Sequence, residues 1–184
     1  AKLKKKLNYK TYLEPALPTA SHSQSQKAEV SFAYGVLLRS DGDYFTAEEY
    51  FIRSLRIRES LVEYENLADT YEELGHCLFT KKAFSEVEEL YLKAYHLRKQ
   101  YSVSHKQARS CLFLGIVYSE KQEPQLAGEY LTKCLNVQEV ELEPLHFDLA
   151  TTYYNLSFFY KKCSDDANAE LYAAKCAFIW WRTS

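Results

Sequence analysis

The sequence predicts an all-α fold, a curved solenoid of about four stacked helical hairpins. One observation is an internal repeat. Aligning AYGVLL (33–38), ELGHCL (73–78), FLGIVY (113–118) and NLSFFY (155–160) brings a small residue into register at Gly35, Gly75, Gly115 and Ser157, at intervals of 40, 40 and 42 residues. Twelve residues after each come Ala47, Val87, Ala127 and Ala169, and four further on Phe51, Tyr91, Leu131 and Ala173. Three beyond those lie Ser54, Ala94, Cys134 and Cys176, so four columns keep one register through four copies. A second observation is texture: from Lys27 to Trp181 the apolar residues recur at helical period. The third is composition, since only five Gly and four Pro in 184 residues argue against a turn-rich β fold.

The elements follow in order. Residues 1–20 carry Lys2, Lys4, Lys5, Lys6 and Lys10 against Glu14 alone, a net of +4, so with −2 overall the remaining residues sum to −6. Pro15 and Pro18 prevent a continuous helix there. The polar run SHSQSQ (21–26) reads as a linker, and 27–184 as the repeat domain, with repeats near 28–62, 67–101, 107–141 and 149–182. In the second helix of copy one, Ala47, Tyr50, Phe51, Ser54, Leu55 and Arg58 form the stripe of a helix with one buried face. Tyr71, Leu74, Gly75 and Leu78 repeat it in the first helix of copy two. SDGD (40–43), Pro124 and SDD (164–166) supply turn, helix-start and N-cap signals between the paired helices. The small column Gly35, Gly75, Gly115 and Ser157 lets helices cross closely, with Ala47, Ala127 and Ala169 as matching small residues and Ala94 as a further packing position, while Tyr71, Tyr91, Tyr118 and Tyr160 are expected to fill between successive hairpins. The last element ends AFIWWRTS, so Trp180 and Trp181 are expected to fold over the final hairpin or to face a further repeat.

Composition bounds the function. Hydrophobic residues at 47% and charged residues at 26% match a folded globular chain rather than a disordered one. A pI of about 6.3 disfavours a nucleic-acid module. No run of 18 apolar residues and no N-terminal signal core occur, so no membrane span is expected. Cys77, Cys111, Cys134, Cys163 and Cys176 are odd in number, far apart and without a CxxC pair, which points to a reducing, cytoplasmic setting and to no metal. The absence of Met suggests a piece of a longer chain. There is no GxGxxG, P-loop, GxSxG or HExxH, and His76, His96, His105 and His146 lie one per repeat without converging, so no enzyme and no cofactor are expected.

The columns resemble the tetratricopeptide repeat, and their 40–42-residue period is similar to its longer-helix subset of kinesin light chains, nephrocystin-type proteins and spindle-orientation adaptors. AEEYFIRSLRIRESL (47–61) and LHFDLATTYYNLSFFY (145–160), with His146, Ala150, Asn155 and Leu156, carry the likeness to kinesin light chains, and EELYLKAYHLRKQ (88–100) does so more weakly. The resemblance covers 28–181 and implies a right-handed superhelix whose first helices line a concave groove for a peptide or helix of a partner protein. Copies one to three lack the Asn that stands at Asn155. On the resemblance, the groove residues are Phe32 and Arg39 in copy one, Asp69, Glu72, Glu73, His76 and Phe79 in copy two, Arg109, Leu112, Phe113 and Ile116 in copy three, and Tyr154, Asn155, Phe158, Lys161 and Lys162 in copy four.

Along the groove this reads as an acidic patch, an apolar floor and a basic exit, suited to a peptide with a cationic part, bulky apolar anchors and an acidic end. A one-position error in register would instead make Leu112, Phe113, Ile116 and Phe158 core residues. Residues 1–20 are a candidate occupant, in cis or from a neighbouring chain, with their lysines on Asp69, Glu72 and Glu73 and with Tyr9, Tyr12 and Leu13 in apolar pockets. The alternatives are a tail, a piece of a preceding helix, or a basic run touching RNA or anionic lipid. The function expected is a non-enzymatic adaptor or scaffold. Two rivals remain: a spacer within a cytoskeletal or ciliary assembly, and a peptide-sensing regulator, which needs an N-terminal bundle that 1–26 does not supply.

Overall fold

A computed structural model describes residues 23–101 and 104–183. Among them are eight α-helices and no strand: α1 (Gln24–Ser40), α2 (Tyr44–Leu61), α3 (Tyr64–Thr80), α4 (Phe84–Tyr101), α5 (Ser104–Glu120), α6 (Pro124–Glu141), α7 (Phe147–Lys162) and α8 (Asp166–Thr183). They pair in order as four hairpins, and each hairpin packs on the next. No described helix is long and apolar enough to cross a membrane.

The helix ends have local causes. Asp43 Oδ1 accepts the Thr46 N–H at 3.1 Å to cap α2, Pro124 opens α6, and Asp165 Oδ1 accepts the Asn168 N–H at 3.1 Å at the start of α8. The run expected as a linker is in part helix. Ser23 and Gln26 form a reciprocal capping box, Gln26 N–H donating to Ser23 Oγ at 3.2 Å and Ser23 N–H to Gln26 Oε1 at 2.9 Å. Of that run, Ser23 is the cap and Gln24 to Gln26 the first turn of α1. Residues 1–20 lie outside the described residues. Each hairpin turns seven residues after the small column, where Gly42, Lys82, Gln122 and Ser164 take φ of 88°, 59°, 62° and 59°. Only the first is glycine, so the other three each carry about 1 kcal/mol of left-handed strain.

Inside each hairpin the small column serves as a seat. A Cβ at Gly35 would lie 2.6 Å from the Phe51 ring, and one at Gly115 would lie 2.7 Å from Leu131, while at Gly75 it would run into the Tyr91 ring. Tyr91 packs over Gly75 in its own hairpin and also reaches the next hairpin, its ring centroid 5.4 Å from that of Phe113. In the last hairpin the exchange is reversed: Ser157 occupies the seat and the residue above it shrinks to Ala173. Ala47, Ala94, Ala127 and Ala169 are all buried.

Successive hairpins are also clamped by charge, through Lys81 on Glu48 and Lys121 on Glu88 at equivalent positions. At the third junction those two columns hold Cys163 and Gly128, which can form no such pair. A cavity of about 490 Å³ opens nearby, lined by Gln122, Pro124, Phe159, Lys162 and Cys163 among others.

Candidate functional site

The first helices of successive hairpins approach one another, α1 with α3 and α5 with α7, and so share one face of the array. On that face a cleft of about 150 Å³ is lined by His76, Phe79, Tyr91, Phe113 and Ile116. A second of about 370 Å³ shares Phe79 and Ile116 and adds Gly115, Leu131, Tyr154, Asn155 and Phe158. A third of about 320 Å³ shares Tyr154 and Phe158 and runs on to Lys161, Glu170 and Ala173. The shared residues make the three one trough. Its apolar wall is built from α3, α5 and α7, because each helix presents one aromatic or branched side chain per turn to this side. Tyr154 is 58% and Phe158 51% exposed, so the floor is open at the α7 end.

The structure brings together His76, Phe79, Phe113, Ile116, Tyr154, Asn155 and Phe158 from the expected set, and removes others. Leu112 is 6% exposed and belongs to the core. At this one position the register that would place it in the core is the one the fold adopts. Phe32 is half-buried against Phe51, with the Arg58 guanidinium 4.4 Å above its ring, and lies outside the three clefts. The Asn155 amide donates to its own Thr151 carbonyl at 2.8 Å, which commits one of its donors to the helix.

The acidic patch is not an open surface. Glu72 is 1% exposed and is bound by the fully buried Arg98, by Ser110 Oγ–H at 2.8 Å and by Arg109 Nε–H at 3.1 Å. Asp69 accepts from Arg98 at 2.5 Å, and Glu73 pairs with Arg39 at 2.6 Å. The basic exit is likewise occupied, by Lys162 on Glu120 at 2.6 Å and Lys161 on Asp166 at 2.7 Å. The charges that read as a gradient for a ligand neutralise one another between adjacent elements. What the trough presents is aromatic and aliphatic surface with a compensated rim.

The device that absorbs those charges went unread in the sequence. Twenty-three residues after the small column stand Arg58, Arg98 and Gln138, and five before it in the next copy stand Thr70, Ser110 and Thr152. Arg58 donates to Thr70 Oγ1 at 2.6 Å and to the Asn66 carbonyl at 2.9 Å. Arg98 donates to Ser110 Oγ and to the Lys106 carbonyl, both at 3.0 Å. Thr152 donates to Gln138 Oε1 at 2.6 Å. The acid six before the small column pairs with the arginine of its own copy, Glu29 with Arg58 and Asp69 with Arg98. In copy three that position is Arg109, which would repel an arginine, and the partner there is the neutral Gln138. Arg58 lies on the stripe that reads as buried, and the column it begins is the signal in the sequence.

His76 has its Nδ1 3.0 Å from Tyr91 Oη and its ring edge-on to Phe113 at 4.5 Å. Burial, aided by Arg39 and Arg109, lowers its pKa to about 4. An unfolded histidine takes up its proton near 6.5, so between that pH and about 4 the unfolded chain binds more protons and stability falls as pH falls. Burial raises the Glu73 carboxyl, which acts in the opposite sense, so the effect is read by difference. The melting temperature of wild type is expected to drop more steeply from pH 6.5 to 4 than that of His76→Gln. Parallel slopes in thermal melts of the two would refute this.

Family models described as tetratricopeptide repeat match residues 26–100 and 108–140, together more than half of the chain. Among solved structures, the chain is similar to BtubC (BKLC) from P. vanneervenii at TM-score 0.79 and 18% identity, over 95% of this chain and 71% of that one. It is similar to the apo form of RapI at TM-score 0.81 and 22% identity, covering 95% of this chain and 61% of RapI. A kinesin light chain protein from Podosopora anserina with nearly identical TPR-like repeats matches at TM-score 0.70 and 15% identity, over 94% of this chain and 83% of that one. At these identities the likeness is one of fold. No curated protein matches in sequence.

Proposed function

Because the chain belongs to the tetratricopeptide repeat family, we propose that it is a non-enzymatic adaptor or scaffold that takes up a segment of a partner protein in the trough across α3, α5 and α7. The observation that carries this is the run of three connected clefts walled by Phe79, Phe113, Ile116, Tyr154 and Phe158. Their size suits single bulky apolar side chains, and the rim charges are satisfied within the array. The partner segment is therefore anchored by aromatic or branched residues spaced along it, and its charge is secondary. This favours Tyr9, Tyr12 and Leu13 over the lysines as the part of residues 1–20 that would engage the trough. The wide spacing of the cysteines supports a reducing compartment, the cytoplasm, as its setting.

The test is calorimetric titration of a synthetic peptide of residues 1–20 into residues 23–184, which keep all eight described helices and the α1 cap. Dissociation constants of about 1–100 µM are expected, little changed by salt and weakened at least about tenfold by Ile116→Asp or Phe158→Ala. Absence of saturable binding, or binding indifferent to both substitutions, rejects residues 1–20 as the occupant of this trough.

A further inference from the structure

The junction between the third and fourth hairpins is built differently from the two before it. At the first two, an arginine near the end of one hairpin is buried against the first helix of the next, Arg58 on Thr70 and Arg98 on Ser110. A lysine–glutamate pair then ties the opposite end of that first helix, Lys81 to Glu48 and Lys121 to Glu88, and the Tyr118 hydroxyl donates to Glu88 at 2.9 Å as well.

At the third junction only the near end is held in this way. Thr152 keeps its neutral bond to Gln138, and beside it the Tyr153 hydroxyl donates to Glu139 at 3.0 Å. At the far end the lysine and glutamate columns hold Cys163 and Gly128. The cavity of about 490 Å³ opens there, with Gln122 and Pro124 from the third hairpin facing Phe159 and Cys163 from the fourth. The connection is also slack: residues 142–146 join α6 to α7, whereas residues 62 and 63 suffice between α2 and α3. So α7 is pinned near its start and loose near its end.

Across that loose end Lys162 supplies the one ion pair among the described residues, on Glu120 at 2.6 Å, and it also reaches the Ser119 carbonyl at 3.4 Å. Both side chains of the pair are more than a third exposed, so the tie is weak and screened by salt. It lies at the rim of the trough. The cleft of about 370 Å³ has Phe79 and Ile116 on one wall and Tyr154 and Phe158 of α7 on the other. Rotation of α7 about its start therefore widens or closes that cleft.

We propose that the fourth hairpin is a hinged jaw of the trough, turning about the Gln138–Thr152 end of α7 and latched at the other end by Lys162 on Glu120. The missing tie lies between the third and fourth hairpins, so the hinge is independent of anything beyond α8. Its bearing on partner uptake rests on the function proposed above, whereas the motion does not.

Arg53, Lys93, Lys133 and Lys175 occupy one exposed column of successive hairpins, which gives equivalent sites for spin labels. The whole chain carries Cys163→Ser, its other four cysteines being buried. Labels at Arg53→Cys and Lys133→Cys span the first two junctions, and labels at Lys93→Cys and Lys175→Cys the last two. In pulsed electron spin resonance the second distance distribution is expected to be at least about twice as broad as the first. Gly128→Glu with Cys163→Lys restores the missing clamp and narrows it to the width of the first. Lys162→Gln releases the latch and broadens it further, with the helical circular dichroism unchanged. Equal widths for the two pairs, both in this chain and with Ile116→Asp to empty the trough, overturn the hinge. So does a width indifferent to both the restored clamp and the released latch. A titration without peptide binding rejects residues 1–20 as occupant and leaves these widths as they are.

Discussion

Replacing Arg98 with alanine is expected to cost about 3–5 kcal/mol and to lower the melting temperature by about 10 °C. The guanidinium is fully buried and ties three elements together: Asp69 and Glu72 on α3, and Ser110 with the Lys106 carbonyl on α5. Without it, Glu72 remains 1% exposed with a carboxylate that has lost its nearest cation, and Arg109 from the rim only partly replaces it. Removing one partner of a buried pair costs far more than removing both, because the survivor keeps its desolvation penalty. Arg98→Met combined with Glu72→Met should therefore be markedly more stable than the sum of the single losses. Lys93→Ala, which breaks an exposed pair within α4, should be silent in the same urea and thermal melts. A loss below about 1 kcal/mol for Arg98→Ala would show that the ladder is not a main support of the array.

The second large effect is at Gly75. Gly75→Val is expected to destabilise by about 3 kcal/mol, because its Cβ would occupy the space of the Tyr91 ring, which is 2% exposed and cannot swing away. A Gly-to-Ala change in an open helix would instead gain up to about 1 kcal/mol in backbone entropy. Gly128 on α6 is the comparison, since a Cβ there meets only the edge of the Phe159 ring, Cζ at 3.2 Å and Cε1 at 3.5 Å, and Gly128→Ala should cost far less. The last hairpin already shows the compensated form, Ser157 beneath Ala173. A cycle of Gly75→Ser and Tyr91→Ala should accordingly reveal a favourable coupling of about 1 kcal/mol or more. Additive losses in equilibrium unfolding would mean that the ring does not rest on the glycine.

How much was legible follows from range. The seat at Gly35, Gly75 and Gly115, the turn at SDGD, the start of α6 at Pro124 and the cap of α8 at SDD all depend on neighbours within a turn or two, or on a column repeated each copy. Those were read from the chain. Ser23 and Gln26 also form a local signal, the capping box, but their polar context read as a linker. Phe113, Ile116 and Phe158 line the clefts, whereas Leu112, one position away from Phe113, is core. A single helical position is about 100° of rotation, and periodicity alone does not resolve it at the edge of a stripe.

The sequence by itself determined the number of hairpins and their register, because hydrophobic period and small-residue columns are properties of one hairpin repeated. The tertiary structure alone decided which charges remain for a partner. Arg98 and Glu72 are 26 residues apart, and Lys162 and Glu120 are 42 apart, each pair joined by the packing of neighbouring helices. An acid on the inner face reads the same whether it meets a ligand or an arginine from the adjoining helix. Only the stacking of the helices brings that arginine within hydrogen-bonding distance and takes both charges out of water.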